Sequence, residues 1–326
     1  MAPVSQAHLG SDTYRAGMTP FVQNSAFVRT ADGRRLHALS LHADGEASTG
    51  AADAAAATAT ATTTSAAGTL VVLEAGLGVG GRFWGPVHRS LAAIPGLTVV
   101  AYDRAGHGHS DPDRAARTLQ RLADDLEAVA RAFPHDRLML VGHSWGGPIV
   151  RTFAARLRAQ GTPPAGVVLV DPADENCDLY FALVTRVSGM LQDVLYLPLA
   201  LTGLLRPLGR VVMQALPSAD LEAAAWASST VRAARATIAE NRRFTAEMRR
   251  LRTSPPDLGD APTTFISGSS AEALEDEMRR AMNEAHRHSA ALLPRGRVVE
   301  AHRSGHMVPI SEPELVVAEV RALTNR

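Results

Sequence analysis

Short apolar runs at residues 69–73, 97–102, 137–141, 167–170, 263–266 and 298–299 alternate with longer amphipathic stretches. That alternation predicts an α/β fold, a mostly parallel central sheet with crossover helices on both faces, because strands buried on both sides read as continuous apolar runs. Between two of these runs, residues 119–133 place Leu122, Leu126, Val129 and Phe133 at helical spacing, while Asp124, Asp125 and Glu127 fall elsewhere on the surface. Further helices are expected at 148–159, 271–291 and 314–322. Ahead of the alternating region, residues 27–30 and 35–41 flank Ala31-Asp32-Gly33-Arg34, an Asp-Gly turn signal between two short strands.

Three segments depart from the pattern. Residues 1–24 lack periodicity and are expected to form a flexible leader. Residues 43–68 are almost wholly Ala and Thr, too uniform in size to specify a packed interior, and read as a disordered surface insertion. Residues 175–258 replace the alternation with apolar and amphipathic helical stretches, notably 194–205 and 231–251. A helical insertion between two strands lies over the carboxyl edge of the sheet, where such folds bind ligands, so this one is expected to be a lid. The core then has two parts, 25–174 and 259–326.

Lys+Arg and Asp+Glu both total 33, so the formal net charge is zero and nothing favours a phosphate backbone. No nucleic-acid partner is expected. Cys177, the single cysteine, cannot form an internal disulfide. The first ten residues lack the basic start and apolar stretch of a secretory signal, which makes a cytoplasmic location the expectation. The run at 194–205 falls short of the roughly 20 residues a membrane span needs. Oligomeric state is not legible.

Residues 138–147 read Leu-Met-Leu-Val-Gly-His-Ser-Trp-Gly-Gly, a Gly-x-Ser-x-Gly motif centred on Ser144. It follows an expected buried strand and precedes an expected helix, the context in which a serine sits on a tight turn as a nucleophile. Flanking glycines leave room for the backbones that crowd such a turn, whereas a helix N-cap serine would not need them. A serine hydroxyl is a poor nucleophile at neutral pH, so it needs a base within hydrogen-bond reach and donors for the oxyanion formed on attack. His306, in the small-residue loop Ser304-Gly305-His306 after the last expected strand, is the candidate base. His302 and His143 are lesser alternatives. The glycine-rich stretch from Glu74 to Gly81 also leaves an expected strand, and the oxyanion donors would be the backbone N–H groups of Leu77 and of Trp145.

With these segments assembled, the chain resembles the α/β-hydrolase superfamily, in its lid-bearing serine esterase-like branch. The resemblance rests on Gly142-His143-Ser144-Trp145-Gly146-Gly147, on Ser304-Gly305-His306, and on residues 102–110, Tyr-Asp-Arg-Ala-Gly-His-Gly-His-Ser, similar to the family's loop after strand four. Asp103 and Arg104 of that loop are expected to shape the site without reacting. Many relatives carry His-Gly where this chain has Ala75-Gly76, so Leu77 is carried over by position alone.

The resemblance also implies an acid that orients His306. Relatives commonly place it after strand seven, where residues 267–271 of this chain offer no Asp and the nearby Glu272 could substitute; others place it after strand six, where Asp171 ends a buried run. An isolated carboxylate there is costly unless paired, and an imidazolium partner would account for it. Asp171 is the first choice, with Glu272 the alternative and Asp174 and Glu175 behind them. The implied activity is hydrolysis of a carboxylic ester-like bond in a small, apolar substrate through an acyl-enzyme. Amide, peptide or carbon–carbon hydrolysis, haloperoxidase-like chemistry, acyl transfer and noncatalytic ligand binding are compatible with the same residues. Relatives that open epoxides or remove halides carry an aspartate at the position of Ser144 and are set aside. No cofactor is implied. No metal set is expected: His286 and His288 do not share a helical face, and the His-Glu-x-x-His pattern is absent.

Overall fold

All six apolar runs lie in strands of one eight-stranded sheet. The computed structural model describes residues 21–43, 68–270 and 276–324. The strands are β1 (Phe21–Arg29), β2 (Arg35–Ala43), β3 (Thr69–Glu74), β4 (Leu97–Tyr102), β5 (Arg137–His143), β6 (Gly166–Val170), β7 (Thr263–Gly268) and β8 (Gly296–Ala301). Their spatial order is β1-β2-β4-β3-β5-β6-β7-β8, antiparallel at β1–β2 and β2–β4 and parallel from there on. Helices follow as α1 (Gly85–Ala92), α2 (Leu119–Arg131), α3 (Gly146–Ala159), α4 (Leu183–Leu201), α5 (Leu205–Val212), α6 (Ser218–Ser229), α7 (Val231–Thr253), α8 (Asp276–Ala291), α9 (Val308–Ser311) and α10 (Pro313–Thr324).

The parallel strands divide the core in two, since successive side chains point to opposite faces. Leu70, Val72, Leu140 and Leu169 pack on one side with Leu122 and Leu126 of α2 and Ile149 and Phe153 of α3. Val71, Leu73, Met139 and Val168 pack on the other with Val87 and Leu91 of α1 and Val316 and Val320 of α10. Crossover helices on both faces thus bury the whole of β3, β5 and β6 apart from the exposed Arg137.

Several boundaries differ from those expected. β1 begins at Phe21, so residues 21–24 belong to the hairpin and not to a leader, and Ala43 closes β2 opposite Phe21 instead of opening the Ala/Thr insertion. Backbone pairing sets the length of that ladder beyond the apolar pattern. β8 runs from Gly296 to Ala301, well beyond the apolar pair Val298 and Val299, because it is a half-buried edge strand. The remaining leader residues and the bulk of the Ala/Thr stretch lie outside the described residues, as does 271–275 ahead of α8.

The segment between β6 and β7 is helical, carrying α4 to α7. α7 crosses the carboxyl ends of the central strands: Glu240 pairs with Arg104 after β4, and Phe244 sits 5.1 Å from Trp145 after β5. α4 packs on α7 through Asp193, which accepts from Asn241 and Arg242, and turns Leu183, Val184, Val187, Leu191 and Val194 outward. No single helix among the described residues is long and apolar enough to cross a membrane; α4 and α5 reach that length and composition only together, across a 115° bend.

Candidate active site

β5 delivers Ser144 at its carboxyl end, where the chain must reverse at once into α3. Ser144 takes the left-handed backbone conformation, φ 52°, a strained choice for a residue with a side chain. Its carbonyl accepts from the N–H groups of Gly147 and Ala173, and its own N–H donates to Val170, which over-determines the turn. A Cβ on Gly142 would lie 2.6 Å from the Gly146 carbonyl oxygen, and one on Gly146 would lie 2.5 Å from that of Glu74. The motif glycines are therefore a packing requirement.

Residues 162 positions apart meet at this turn: His306 Nε2 lies 3.0 Å from Ser144 Oγ. On the other side of the ring, Nδ1 lies 2.6 Å from Asp171 Oδ2. Asp171 follows β6, the strand next to β5, and also has a left-handed backbone, φ 42°. Its side chain is fully buried. Burial alone would raise its pKa, yet the hydrogen bond from His306 and the charges of His306, His286 and Arg279 outweigh it and hold the carboxyl well below the usual carboxylate range. An ionised carboxylate only accepts, so Nδ1 carries the proton and Nε2 presents a lone pair to the hydroxyl.

The oxyanion candidates converge on the same place. Trp145 directly follows Ser144, and a Cβ on Gly76, next to Leu77, would lie 3.2 Å from the Ser144 Cβ. Among the described residues, neither the Leu77 nor the Trp145 N–H donates to a protein acceptor. His143 contributes differently: it stacks on Phe83 at 5.0 Å, and its Nε2–H donates to the His306 carbonyl at 2.9 Å. Burial pushes its pKa down to about 3, so it is a neutral donor steadying the His306 loop.

The other sequence candidates lie elsewhere. His302 is exposed and meets Ser269. Asp174 accepts from Ser289 and the Asn176 N–H, and Glu175 forms a two-pronged pair with Arg151. Glu272 falls outside the described residues. His286 is buried between Ser267 and the Pro172 carbonyl. Among the described residues, no three His, Cys, Asp or Glu side chains form a group that could hold a metal ion.

Sequence reasoning missed Arg279. Its Nη1 donates to Asp171 Oδ1 at 2.5 Å, and the Gly268 N–H donates to the same oxygen at 3.0 Å. The signal was present, since Arg279 shares the buried stripe of α8 with Met282, Asn283 and His286.

A model of the alpha/beta hydrolase family matches residues 70–319, which include Ser144, Asp171 and His306. The chain belongs to that family. Among known proteins, an AB hydrolase superfamily protein of Gibberella zeae is 26% identical over 283 residues, 78% of this chain and 85% of that one. An uncharacterised protein of Mycobacterium tuberculosis is 29% identical over 156 residues, 48% of this chain. That match spans only 45% of the relative's own length. The crystal structure of Cfl2 from Burkholderia cenocepacia superposes with a TM-score of 0.68 at 20% identity, covering 93% of this chain and 96% of that one, a likeness of fold alone.

Proposed function

We propose that this alpha/beta hydrolase is a serine hydrolase that cleaves an ester-like bond of a small, apolar substrate through an acyl-enzyme. The observation that carries the reading is the hydrogen-bonded chain from Ser144 through His306 to Asp171, with 3.0 Å and 2.6 Å links. Ser144 Oγ attacks the substrate carbonyl while His306 Nε2 takes its proton, and Asp171 stabilises the imidazolium. The carbonyl electron pair moves to oxygen, where the N–H groups of Leu77 and Trp145 receive it; a fixed donor in a dry site contributes about 3 kcal/mol in the transition state. His306 then protonates the departing alcohol, leaving the acyl group on Ser144. Water then attacks the acyl carbon as it gives its proton to His306; the bond to Ser144 Oγ breaks, His306 returns the proton to that oxygen, and the carboxylic acid leaves.

An apolar substrate fits the surroundings. Phe244 of α7 packs against both Trp145 and Tyr180, so the helical insertion sets aromatic rings beside the nucleophile's neighbour. In this reading the insertion acts as a lid that keeps bulk water off the apolar group while a single water reaches the acyl carbon.

The test is hydrolysis of p-nitrophenyl esters over a range of acyl lengths, with the Ser144→Ala protein as control. The expected loss is about six orders of magnitude in kcat. A Ser144→Ala protein that kept near-wild-type turnover would end the proposal.

A further inference from the structure

Arg104 lies in the loop after β4, fully buried, and touches none of Ser144, His306 or Asp171. Its guanidinium instead grips the loop after β3. Nη1 donates to the Ala75 carbonyl at 2.5 Å and to Glu74 Oε1 at 2.9 Å, and Nη2 donates to the Gly76 carbonyl at 2.6 Å. The remaining donors go to Glu240 of α7, Nη2 at 3.0 Å and Nε at 3.3 Å. Glu240 in turn accepts from Arg117, itself paired with Asp125 of α2.

No described peptide bond is cis. In a trans peptide the C=O and N–H point in opposite directions, and rotating one necessarily rotates the other. A guanidinium holding the Gly76 carbonyl therefore fixes the Leu77 N–H on the far side of the same plane. The neighbouring Cα lies against the elbow: a Cβ on Gly76 would meet His143 Nδ1 at 3.0 Å and Ser144 Cβ at 3.2 Å. The peptide is thus clamped between Arg104 on one side and the Ser144 turn on the other.

We infer that Arg104 is the positioning residue of the oxyanion hole, holding the Gly76–Leu77 peptide so that the Leu77 N–H faces the site, and that Glu240 of the helical insertion anchors it. This rests on the hydrolase reading above and adds a route by which the insertion governs the chemical step. A rigid fork with several donors suits this task; a lysine ammonium reaches as a single point and cannot serve two carbonyls and two carboxylates in one plane. Because the donor matters only once charge develops on the substrate oxygen, its misplacement costs the transition state and spares ground-state binding.

The experiment compares wild type, Arg104→Lys and Glu240→Gln for p-nitrophenyl ester kinetics and for inhibition by an aryl trifluoromethyl ketone. That probe adds Ser144 Oγ to its carbonyl carbon, sends the serine proton to His306 and places the electron pair on an oxygen in the hole. Arg104→Lys keeps the buried positive charge between Glu74 and Glu240. It is expected to lose about a hundredfold in kcat with KM changed by less than about threefold, and the ketone's Ki should rise in step with the loss of kcat. Glu240→Gln leaves the guanidinium in place with a weaker anchor and should show the same pattern at about tenfold. A folded Arg104→Lys protein with kcat and ketone affinity like wild type overturns the inference. Should that variant not fold, unchanged kcat and Ki in folded Glu240→Gln overturn it instead. A wild-type protein with no ester turnover and no fluorophosphonate labelling at Ser144 would sink the hydrolase reading itself, a separate outcome.

Discussion

Asp171 divides its two carboxylate oxygens, giving Oδ2 to His306 at 2.6 Å and Oδ1 to Arg279 at 2.5 Å. The second contact holds the carboxylate in place. Without Arg279, Oδ1 would keep only the Gly268 N–H, and the carboxylate would orient His306 less firmly. Arg279→Met is therefore expected to lose about tenfold in kcat with KM changed by less than about threefold. Ester kinetics on the folded variant check this; a kcat like wild type would make Arg279 a partner of the fold alone.

Asp171→Asn should cost about 10⁴-fold in kcat, because an amide can hold His306 in the wrong tautomer while leaving the geometry intact. Glu272→Gln, in contrast, should leave kcat within about twofold. Measured side by side, the two variants assign the acid, and a larger loss at Glu272 would reverse the assignment.

The strands were legible because a parallel strand buried on both faces is a run of apolar residues and little else, and Ser144 was legible because its two glycines mark a crowded turn. The candidate acid was legible only as a choice. Asp171 and Glu272 both follow expected strands, and what favours Asp171 is the adjacency of β6 to β5 and its 2.6 Å contact with His306, neither of which leaves a trace in composition. α1 escaped notice because Gly85–Ala92 is short and includes His88 and Arg89, so it lacks a clean apolar stripe. The Arg104–Glu240 pair joins positions 136 apart, and two charged residues at that separation carry no sign of meeting. Long-range polar pairing belongs to tertiary structure, whereas periodicity is local.

Burial sets an acid limit on stability. His88 and His107 have pKa values pushed down to about 4, and His143 to about 3, chiefly because burial disfavours the charged ring. For a group with a depressed folded pKa, the unfolded chain binds the proton first as pH falls. Stability is then complete above about 6.5 and is lost as pH drops toward 4, at roughly 2 kcal/mol per buried ring by pH 5. Urea unfolding at pH 7.5 and pH 5 should show a clear drop in midpoint, and His88→Gln should reduce it. Equal midpoints at the two pH values would contradict the assignment of these rings as neutral and buried.

Two glycine substitutions separate crowding from backbone strain. A methyl on Gly146 would lie 2.5 Å from the Glu74 carbonyl oxygen and 2.8 Å from that of Ala75. Both are main-chain atoms at the end of β3, and Ala75 is also held by Arg104, so neither can yield without moving the loop that carries Leu77. Gly146→Ala should lose stability near the top of the range of about 1–3 kcal/mol seen for overpacking, and lose kcat as well. Gly161, after α3, has φ 78° and nothing within 4 Å of its would-be Cβ. Gly161→Ala meets only the left-handed penalty, about 1–2 kcal/mol, and sits at the end of α3 away from the elbow, so kcat should hold. Denaturant melts and ester kinetics on both variants decide the matter: equal kcat in the two would mean that the elbow and the loop after β3 move independently.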